Sequence, residues 1–236
     1  MDSILEAIGN TPLVRVRHCA PANGAELWLK LEYRNPTGSM KDRMARAMVE
    51  GAERDGLISP GDTIVEYTGG STGPALAVVC RAKGYRALIV IADCFTEERI
   101  QLMRALGAEV EVIPSIEGPP KVTPQDIHNM VERAAELAGR PGHYAADDAG
   151  SCAWRTGFVM PHWDADRVDH LAPIGDEEAV EMTRRLATED GIFAGISTGA
   201  NVVGAHRLAE RLGPDAVIAS IAVDSGFKYM SVSPYT

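Results

Sequence analysis

Lys41 is the residue whose type and position most directly suggest covalent chemistry. It lies in the segment PTGSMKDR (36–43), and the apolar residues after it recur every three or four positions, which predicts a helix that begins near Ser39 and ends at Gly56. An ammonium group at a helix start faces the positive end of the helix dipole, so this position disfavours the protonated form. The segment therefore predicts either a lysine that extends into solvent or one whose amine is kept neutral by its surroundings.

Two turns rich in glycine, serine and threonine could hold an anion. EYTGGSTG (66–73) and AGISTGAN (194–201) each open a predicted helix. Unpaired backbone N–H groups at a helix start can bind a carboxylate or a phosphate. Neither turn matches the Walker pattern or G-x-G-x-x-G, so support for nucleotide binding is weak. Taken singly, each turn is also explained by ordinary turn chemistry, with Ser197 as a helix N-cap.

The elements that must position these residues alternate between short apolar strands and amphipathic helices. The predicted strands are 27–33, 63–67, 87–92, 108–113 and 216–223, the predicted helices are 72–84, 95–107, 124–139 and 175–191, and 192–213 is a predicted strand–turn–helix. This alternation predicts an α/β fold of parallel sheets with helices on both faces. In such folds, ligands bind beyond the carboxyl ends of the strands, where both turns fall.

Composition and charge exclude several function classes. The chain has 236 residues, of which 45% are hydrophobic and 24% are charged, and its formal net charge is −10. That charge repels nucleic acids and anionic membranes, so neither is an expected partner. The scattered cysteines (Cys19, Cys80, Cys94 and Cys152), and the lack of a basic leader or a membrane-length apolar run, predict a cytoplasmic protein. The six histidines show no metal-ligand spacing, so no metal is predicted.

A set of motifs in fixed order resembles the cysteine synthase (O-acetylserine sulfhydrylase) family of fold type II pyridoxal-phosphate enzymes. The motifs are IGNTPLVRV (8–16), NPTGSMKDR (35–43), EYTGGSTG (66–73), RTGFVMP (155–161), GIFAGISTGAN (191–201) and VDSGFKY (223–229). The resemblance runs almost continuously through the N-terminal half and again from about Gly157 onward. It implies a smaller domain, 35–145, that carries the substrate loop. It also implies a larger cofactor-binding domain, 1–34 plus 146–236, that is internally shortened.

The resemblance implies a role for Lys41. It matches the family lysine that forms the covalent link to pyridoxal phosphate and then acts as general base. The implied reaction is β-elimination or β-replacement on a small-molecule amino acid that carries a leaving group on its β-carbon. In this light, the helix start inside a cleft supplies the desolvation and positive field that a neutral lysine needs.

Further residues take their implied roles from their positions in the motifs. Thr68, Gly69, Gly70, Ser71 and Thr72 match the loop that holds the substrate α-carboxylate. Ser71 also stands where the family commonly has an asparagine that bonds the cofactor's phenolic oxygen, Ser197 matches the residue that bonds its pyridine nitrogen, and Asp224 and Ser225 match a strand end near its ring. An ordinary Asp-Ser-Gly turn is the alternative for the last two. Arg99, Arg104 and Lys121 could contact an anionic substrate, but surface solvation is the favoured interpretation.

One expected segment is missing. The family carries a G-T-G-G-T-type loop that binds the cofactor's phosphate, whereas this chain passes from GHYAADDAG (142–150) directly to SCAWRTGFVMP (151–161). Three hypotheses follow: an enzyme with a rebuilt or weakened phosphate site, a catalytically degenerate relative that binds a ligand or partner, and an internally deleted form of a longer enzyme. Loss of strands would expose apolar edges, which predicts a homodimer. Trp154, Phe158, Met160 and Trp163 could serve the interface or pack in the core.

Overall fold

The computed structural model describes residues 1–146, 165–231 and 233–235. The chain divides into two compact units, here called the terminal unit (Met1–Asp2, Glu6–Met40 and Asp169–Thr236) and the central unit (Ser3–Leu5 and Lys41–Val168). The long segment of the central unit begins at Lys41. The domain boundaries expected from the sequence, at 34/35 and 145/146, stay a prediction. Every helix in the described ranges is too short or too polar to cross a bilayer.

The bounds of the helices and strands follow the predicted alternation. The strands are β1 (Leu13–Val16), β2 (Glu26–Leu31), β3 (Thr63–Tyr67), β4 (Arg86–Ala92), β5 (Glu109–Ile113), β6 (His143–Ala145) and β7 (Val217–Ala222), and the helices are α1 (Lys41–Arg54), α2 (Thr72–Lys83), α3 (Glu97–Ala105), α4 (Pro124–Ala138), α5 (Asp176–Glu189) and α6 (Ile196–Leu212). The predicted α/β class is confirmed. The sequence analysis did not predict the short strands β1 and β6.

The central unit is built on a parallel sheet with the strand order β5-β4-β3-β6. Six of the seven residues of β4 are buried, as expected for a central strand of a parallel sheet covered on both faces. Val65 and Val90 pack against Met130 and Leu137 of α4 on one face. The helix α2 ends at Gly84, whose φ of +83° is the left-handed conformation that glycine adopts without strain. The strands β3 and β4, with the loops that follow them, position the turn EYTGGSTG (66–73).

The terminal unit has a mixed three-stranded sheet with the order β1-β2-β7. β1 is antiparallel to β2, and β2 is parallel to β7. Alternate side chains of β2 point inward, and Leu27 and Leu29 pack with Leu186 and Val202 in one buried cluster. The strand expected just before α6 is wrong: only a single antiparallel bridge forms there, between Ala194 and Ser225. The other backbone hydrogen bonds of this segment join it to the end of α5 and to the residues after β7: the N–H of Ile192 donates to Leu186, and the carbonyl of Phe193 accepts from Gly226.

Asp190 ties the end of α5 to the segment after β1. Its carboxylate accepts hydrogen bonds from the backbone N–H groups of Arg17, His18 and Cys19 at 2.9, 3.0 and 2.9 Å. Burial raises the pKa of Asp190, but these donors outweigh that effect, and the pKa is lowered. Burial, together with the hydrogen bond to Asp190, raises the pKa of the Cys19 thiol to about 12, so this cysteine has a structural role.

Candidate functional site

Lys41 is the first residue of α1, and its side chain is partly buried. Its Nζ lies 3.6 Å from the Sδ of Met44, one turn further along the helix. The neighbouring Asp42 is buried in the first turn of α1, where a carboxylate complements the helix dipole. The Met44 thioether therefore makes part of the surroundings of the Lys41 amine apolar. The carboxylate of Asp42, rather than Lys41, complements the positive end of the helix dipole.

The start of α1 and the start of α2 lie at the same end of the central unit. Near the other end, Lys83 of α2 places its Nζ 2.7 Å from Glu53 Oε2 and 3.8 Å from Glu50 Oε1 of α1. These contacts join the C-terminal ends of the two helices. Each helix leads into one of the two parallel strands β3 and β4, so α1 and α2 run in the same direction. Lys41 and Thr72 consequently begin neighbouring helices at one end of the unit.

The segment Thr68–Thr72, here called the first turn, connects the carboxyl end of β3 to α2. The N–H of Thr68 donates to the carbonyl of Val90 at 3.0 Å, which extends the pairing of β3 with β4. The N–H of Gly70 donates to the Thr68 hydroxyl at 3.0 Å. Thr68 and Thr72 are buried, whereas the three residues between them are partly exposed. The first turn thus has two anchored ends and an accessible middle.

Arg99 is hydrogen-bonded to the first turn, which corrects the expectation that it is a solvated surface residue. Its Nη1 donates to the carbonyl oxygen of Gly69 at 2.6 Å, and its guanidinium carbon lies 5.9 Å from the centre of the Phe95 ring. A Cβ added at Gly69 would lie 2.2 Å from that ring. The available signal was topological: Phe95 and Arg99 follow β4, whose carboxyl end neighbours that of β3.

The segment Gly195–Gly199, here called the second turn, opens α6 in the terminal unit. The N–H of Gly195 donates to the carbonyl of Asp224 at 3.0 Å, and the buried Thr198 hydroxyl accepts from the N–H of Val223 at 3.0 Å. A Cβ at Gly199 would lie 2.1 Å from the carbonyl oxygen of Ala179. The second turn is therefore packed against α5 and against the end of β7.

Ser197 is the exposed side chain of this packed turn. The suggestion that it is a helix N-cap is wrong, because Gly195 holds that position and Ser197 is the second helical residue. Within the described part of the chain, no residue forms a hydrogen bond with its hydroxyl. The neighbouring Thr198, which the sequence analysis did not single out, takes the structural role instead.

Asp224 and Ser225 hold the turn that follows β7. The Tyr229 hydroxyl donates to Asp224 Oδ2 at 2.8 Å, and the Ser225 hydroxyl accepts from the N–H of Phe227 at 3.3 Å. A Cβ at Gly195 would lie 2.2 Å from Asp224 Oδ1, so Asp224 packs closely on the second turn. These contacts agree with the alternative of an ordinary Asp-Ser-Gly turn, and the cofactor roles of both residues stay a prediction.

The structure thus forms two groups of predicted residues. Lys41 and the first turn belong to the central unit, and Ser197, Asp224 and Ser225 belong to the terminal unit. Trp154, Phe158, Met160 and Trp163, together with the shortened segment from 147 onward, lie outside the described residues. No group of three histidine, cysteine or acidic side chains that could hold a metal occurs in the described ranges.

Comparison with known proteins identifies similar sequences along the whole chain. Residues 4–160 match the family model described as pyridoxal-phosphate dependent enzyme. The chain is 31% identical to cysteine synthase of Staphylococcus aureus, covering 100% of this chain and 97% of the relative, and 34% identical to probable cysteine synthase of Bacillus subtilis, covering 96% and 95%. The alignment with the former has 307 positions for 236 residues, so the relative contains residues with no counterpart here.

Solved structures with the same fold include two related enzymes. O-ureido-L-serine synthase superposes with a TM-score of 0.85 at 30% identity, covering 99% of this chain and 94% of that one. The O-acetylserine dependent cystathionine beta-synthase of Helicobacter pylori gives a TM-score of 0.85 at 25% identity, with coverage of 100% and 99%. The arrangement of helices and strands described above is therefore shared with these proteins.

Proposed function

Because the chain belongs to the cysteine synthase family of pyridoxal-phosphate dependent enzymes, we propose that it catalyses β-elimination or β-replacement on a small amino acid with a leaving group on its β-carbon. The observation that carries the proposal is that α1 and α2 start at the same end of the central unit. Lys41 lies at the start of α1, and the first turn leads into the start of α2. The activity is that of a transferase or lyase of amino-acid metabolism acting in the cytoplasm.

The residues fit part of the cofactor. A partly buried lysine amine suits its aldehyde, and an exposed serine hydroxyl without a partner in the described ranges suits its ring nitrogen. The phosphate has no counterpart of the family's glycine- and threonine-rich loop in this sequence. Each charge-assisted hydrogen bond to such a dianion contributes about 1.5–3 kcal/mol, so we expect pyridoxal phosphate to bind more weakly than in full-length relatives.

When bound, pyridoxal phosphate supplies an electron sink that weakens the bonds at the α-carbon of an amino acid. The amine of Lys41 accepts the α-proton. The N–H groups and hydroxyls of the first turn receive the α-carboxylate and orient the substrate. Ser197 would meet the ring nitrogen with a neutral hydroxyl rather than a carboxylate, and this would favour β-chemistry over transamination.

A second candidate is a catalytically degenerate relative that binds a ligand or a partner protein. The absent phosphate loop and the alignment positions without a residue in this chain favour it. An internal deletion in a once longer enzyme would explain the same two observations. The retained Lys41 motif and both turns favour the enzyme.

We also propose that the protein is a homodimer. The strand β7 pairs with β2 on one side, and no described strand pairs with its other edge. Its side chains Val217 and Ile221 are 67% and 41% exposed. An open strand edge with apolar side chains favours pairing with another chain, and a second copy offers the same edge. In analytical ultracentrifugation, we expect the unaltered protein to sediment as a dimer and Ala219→Lys to sediment closer to the monomer. A monomeric mass for the unaltered protein would exclude the dimer.

Incubation with pyridoxal phosphate followed by borohydride reduction tests the proposed function. We expect a visible absorbance band and, after reduction and digestion, a cofactor adduct on Lys41 by mass spectrometry. Lys41→Ala should lose both, whereas Lys121→Ala, which changes an exposed lysine, should keep them. No band, or the same band in Lys41→Ala, excludes the enzyme and leaves the binding protein, whose ligand binding would not depend on Lys41.

A further inference from the structure

We propose that Arg99 and Phe95 form a clamp that fixes the first turn in the shape that receives the substrate carboxylate, with Arg99 as a positioning residue. This inference rests on the proposed function and adds residues outside the family motifs quoted above. Arg99 lies in the first half of α3, and its side chain is partly buried. Phe95 lies in the loop between β4 and α3.

The clamp acts on the peptide group that joins Gly69 to Gly70. On one side, its carbonyl oxygen accepts a hydrogen bond from Arg99 Nη1 at 2.6 Å. On the other side, its N–H donates to the hydroxyl of Thr68 at 3.0 Å. Thr68 is itself buried and paired through its N–H with Val90 of β4. Both polar atoms of one peptide plane are therefore held, so the plane cannot rotate without breaking a bond.

Such restraint matters because the turn contains two consecutive glycines. Glycine has more accessible backbone conformations than other residues, so Gly69-Gly70 would otherwise sample many turn shapes. For a ligand that binds only one of those shapes, the apparent affinity is proportional to the fraction of molecules that already have that shape. A charge-assisted hydrogen bond of the usual strength can change that fraction by about tenfold to a hundredfold.

Phe95 sets the distance at which Arg99 meets the turn. Its ring occupies the space where a Cβ of Gly69 would lie, at 2.2 Å, and the Arg99 guanidinium carbon lies 5.9 Å from the ring centre. Gly70 differs, because nothing lies within 4 Å of where its Cβ would be. The clamp therefore supports the turn at Gly69, and the open side at Gly70 is available for the ligand. Arg99 acts through Gly69 and does not touch the substrate.

Hydrogen exchange measured by mass spectrometry on the protein without substrate tests the clamp independently of activity. The variants are Arg99→Met and Arg99→Lys, and Arg104→Met is the matched control because Arg104 is an exposed arginine of the same helix. We expect Arg99→Met to exchange the amides of residues 68–72 about tenfold faster or more, since the restraining bond is lost. Arg99→Lys should recover part of the protection, and Arg104→Met should match the unaltered protein.

Steady-state kinetics with O-acetyl-L-serine give the second readout. Arg99→Met should raise KM about tenfold or more while kcat changes by less than about twofold, because the clamp favours carboxylate binding in the ground state and the transition state alike. Equal exchange in Arg99→Met and Arg104→Met overturns the clamp. A raised KM with unchanged exchange also overturns it, since Arg99 would then contact the substrate. If the unaltered protein shows no cofactor band, the proposed function fails, and the exchange result still decides the clamp.

Discussion

The first and second turns share the tripeptide Ser-Thr-Gly, at 71–73 and at 197–199, yet they are supported in different ways. In both, the threonine is buried at the start of a helix and the glycine packs tightly against a neighbouring element. The Cβ of Gly73 would meet the Sδ of Met103, at the flexible part of a side chain, at 2.2 Å. The Cβ of Gly199 would meet a backbone carbonyl oxygen of α5 at 2.1 Å.

The serines differ as well. Ser71 precedes α2 and belongs to an accessible loop that Arg99 supports, whereas Ser197 lies inside α6 in a turn held by backbone packing. The same three residues thus give a turn supported by an arginine side chain from another helix in one unit and a turn packed against a backbone carbonyl of α5 in the other. We expect the first turn to be the more tolerant of substitution and the second to be the more rigid.

The largest expected effect is that of Gly199→Ala. A carbonyl oxygen of α5 cannot move aside cheaply, so we expect a loss of about 3 kcal/mol in the free energy of unfolding by urea denaturation. The matched variant Gly73→Ala, whose obstacles are the flexible but buried Met103 side chain and the Thr68 methyl group, should lose less, about 1–2 kcal/mol. Equal losses in the two variants would show that the turns do not differ in rigidity.

Thr198→Val should cost about 2 kcal/mol, because the N–H of Val223 loses its acceptor at a partly buried position. The adjacent Ser197→Ala should change the free energy of unfolding by less than about 0.5 kcal/mol, since its hydroxyl is exposed. Only Ser197→Ala should alter the absorbance of added pyridoxal phosphate. A large stability loss in Ser197→Ala would contradict the division of roles within the second turn.

Acid should weaken the terminal unit through Asp190. The folded-state pKa of Asp190 is lowered, so its stabilising effect is present above the unfolded-state pKa of about 3.9 and is lost as the pH falls through the folded-state value. Asp190→Asn should reduce stability at pH 7, and the difference from the unaltered protein should narrow below about pH 4. Urea midpoints that stay equally far apart down to pH 3 would contradict this assignment.

The smallest expected effect on stability is that of Gly70→Ala. The new methyl group enters open space and the backbone angles are ones that alanine adopts, so the free energy of unfolding should change by less than about 0.5 kcal/mol. The KM for the amino acid should nevertheless rise if this side of the first turn receives the carboxylate. If Gly70→Ala binds cofactor and its KM is unchanged, the carboxylate site does not lie on this side of the first turn.

Local patterns predicted much of the fold. The spacing of apolar residues after Lys41, the β-branched run at 63–67 and the glycine at 84 each depend on neighbours in the sequence, and α1, β3 and α2 form where these patterns place them. The short strand β1 was missed because three of its four residues are exposed and its partner, β2, lies ten residues further on. The expected strand before α6 was wrong because segment 192–195 bonds the end of α5 and the turn after β7 rather than a neighbouring strand.

The sequence by itself determined the family, the alternation of strands and helices, and a lysine at the start of a helix, since these follow from residue types at short spacing. Only the tertiary structure decided which side of each turn is open, that Arg99 reaches Gly69 across 30 residues of chain, and that Thr198 rather than Ser197 bonds the end of β7 across 25. Those contacts join residues far apart in sequence, and packing of separate elements against one another is what brings them within hydrogen-bond distance.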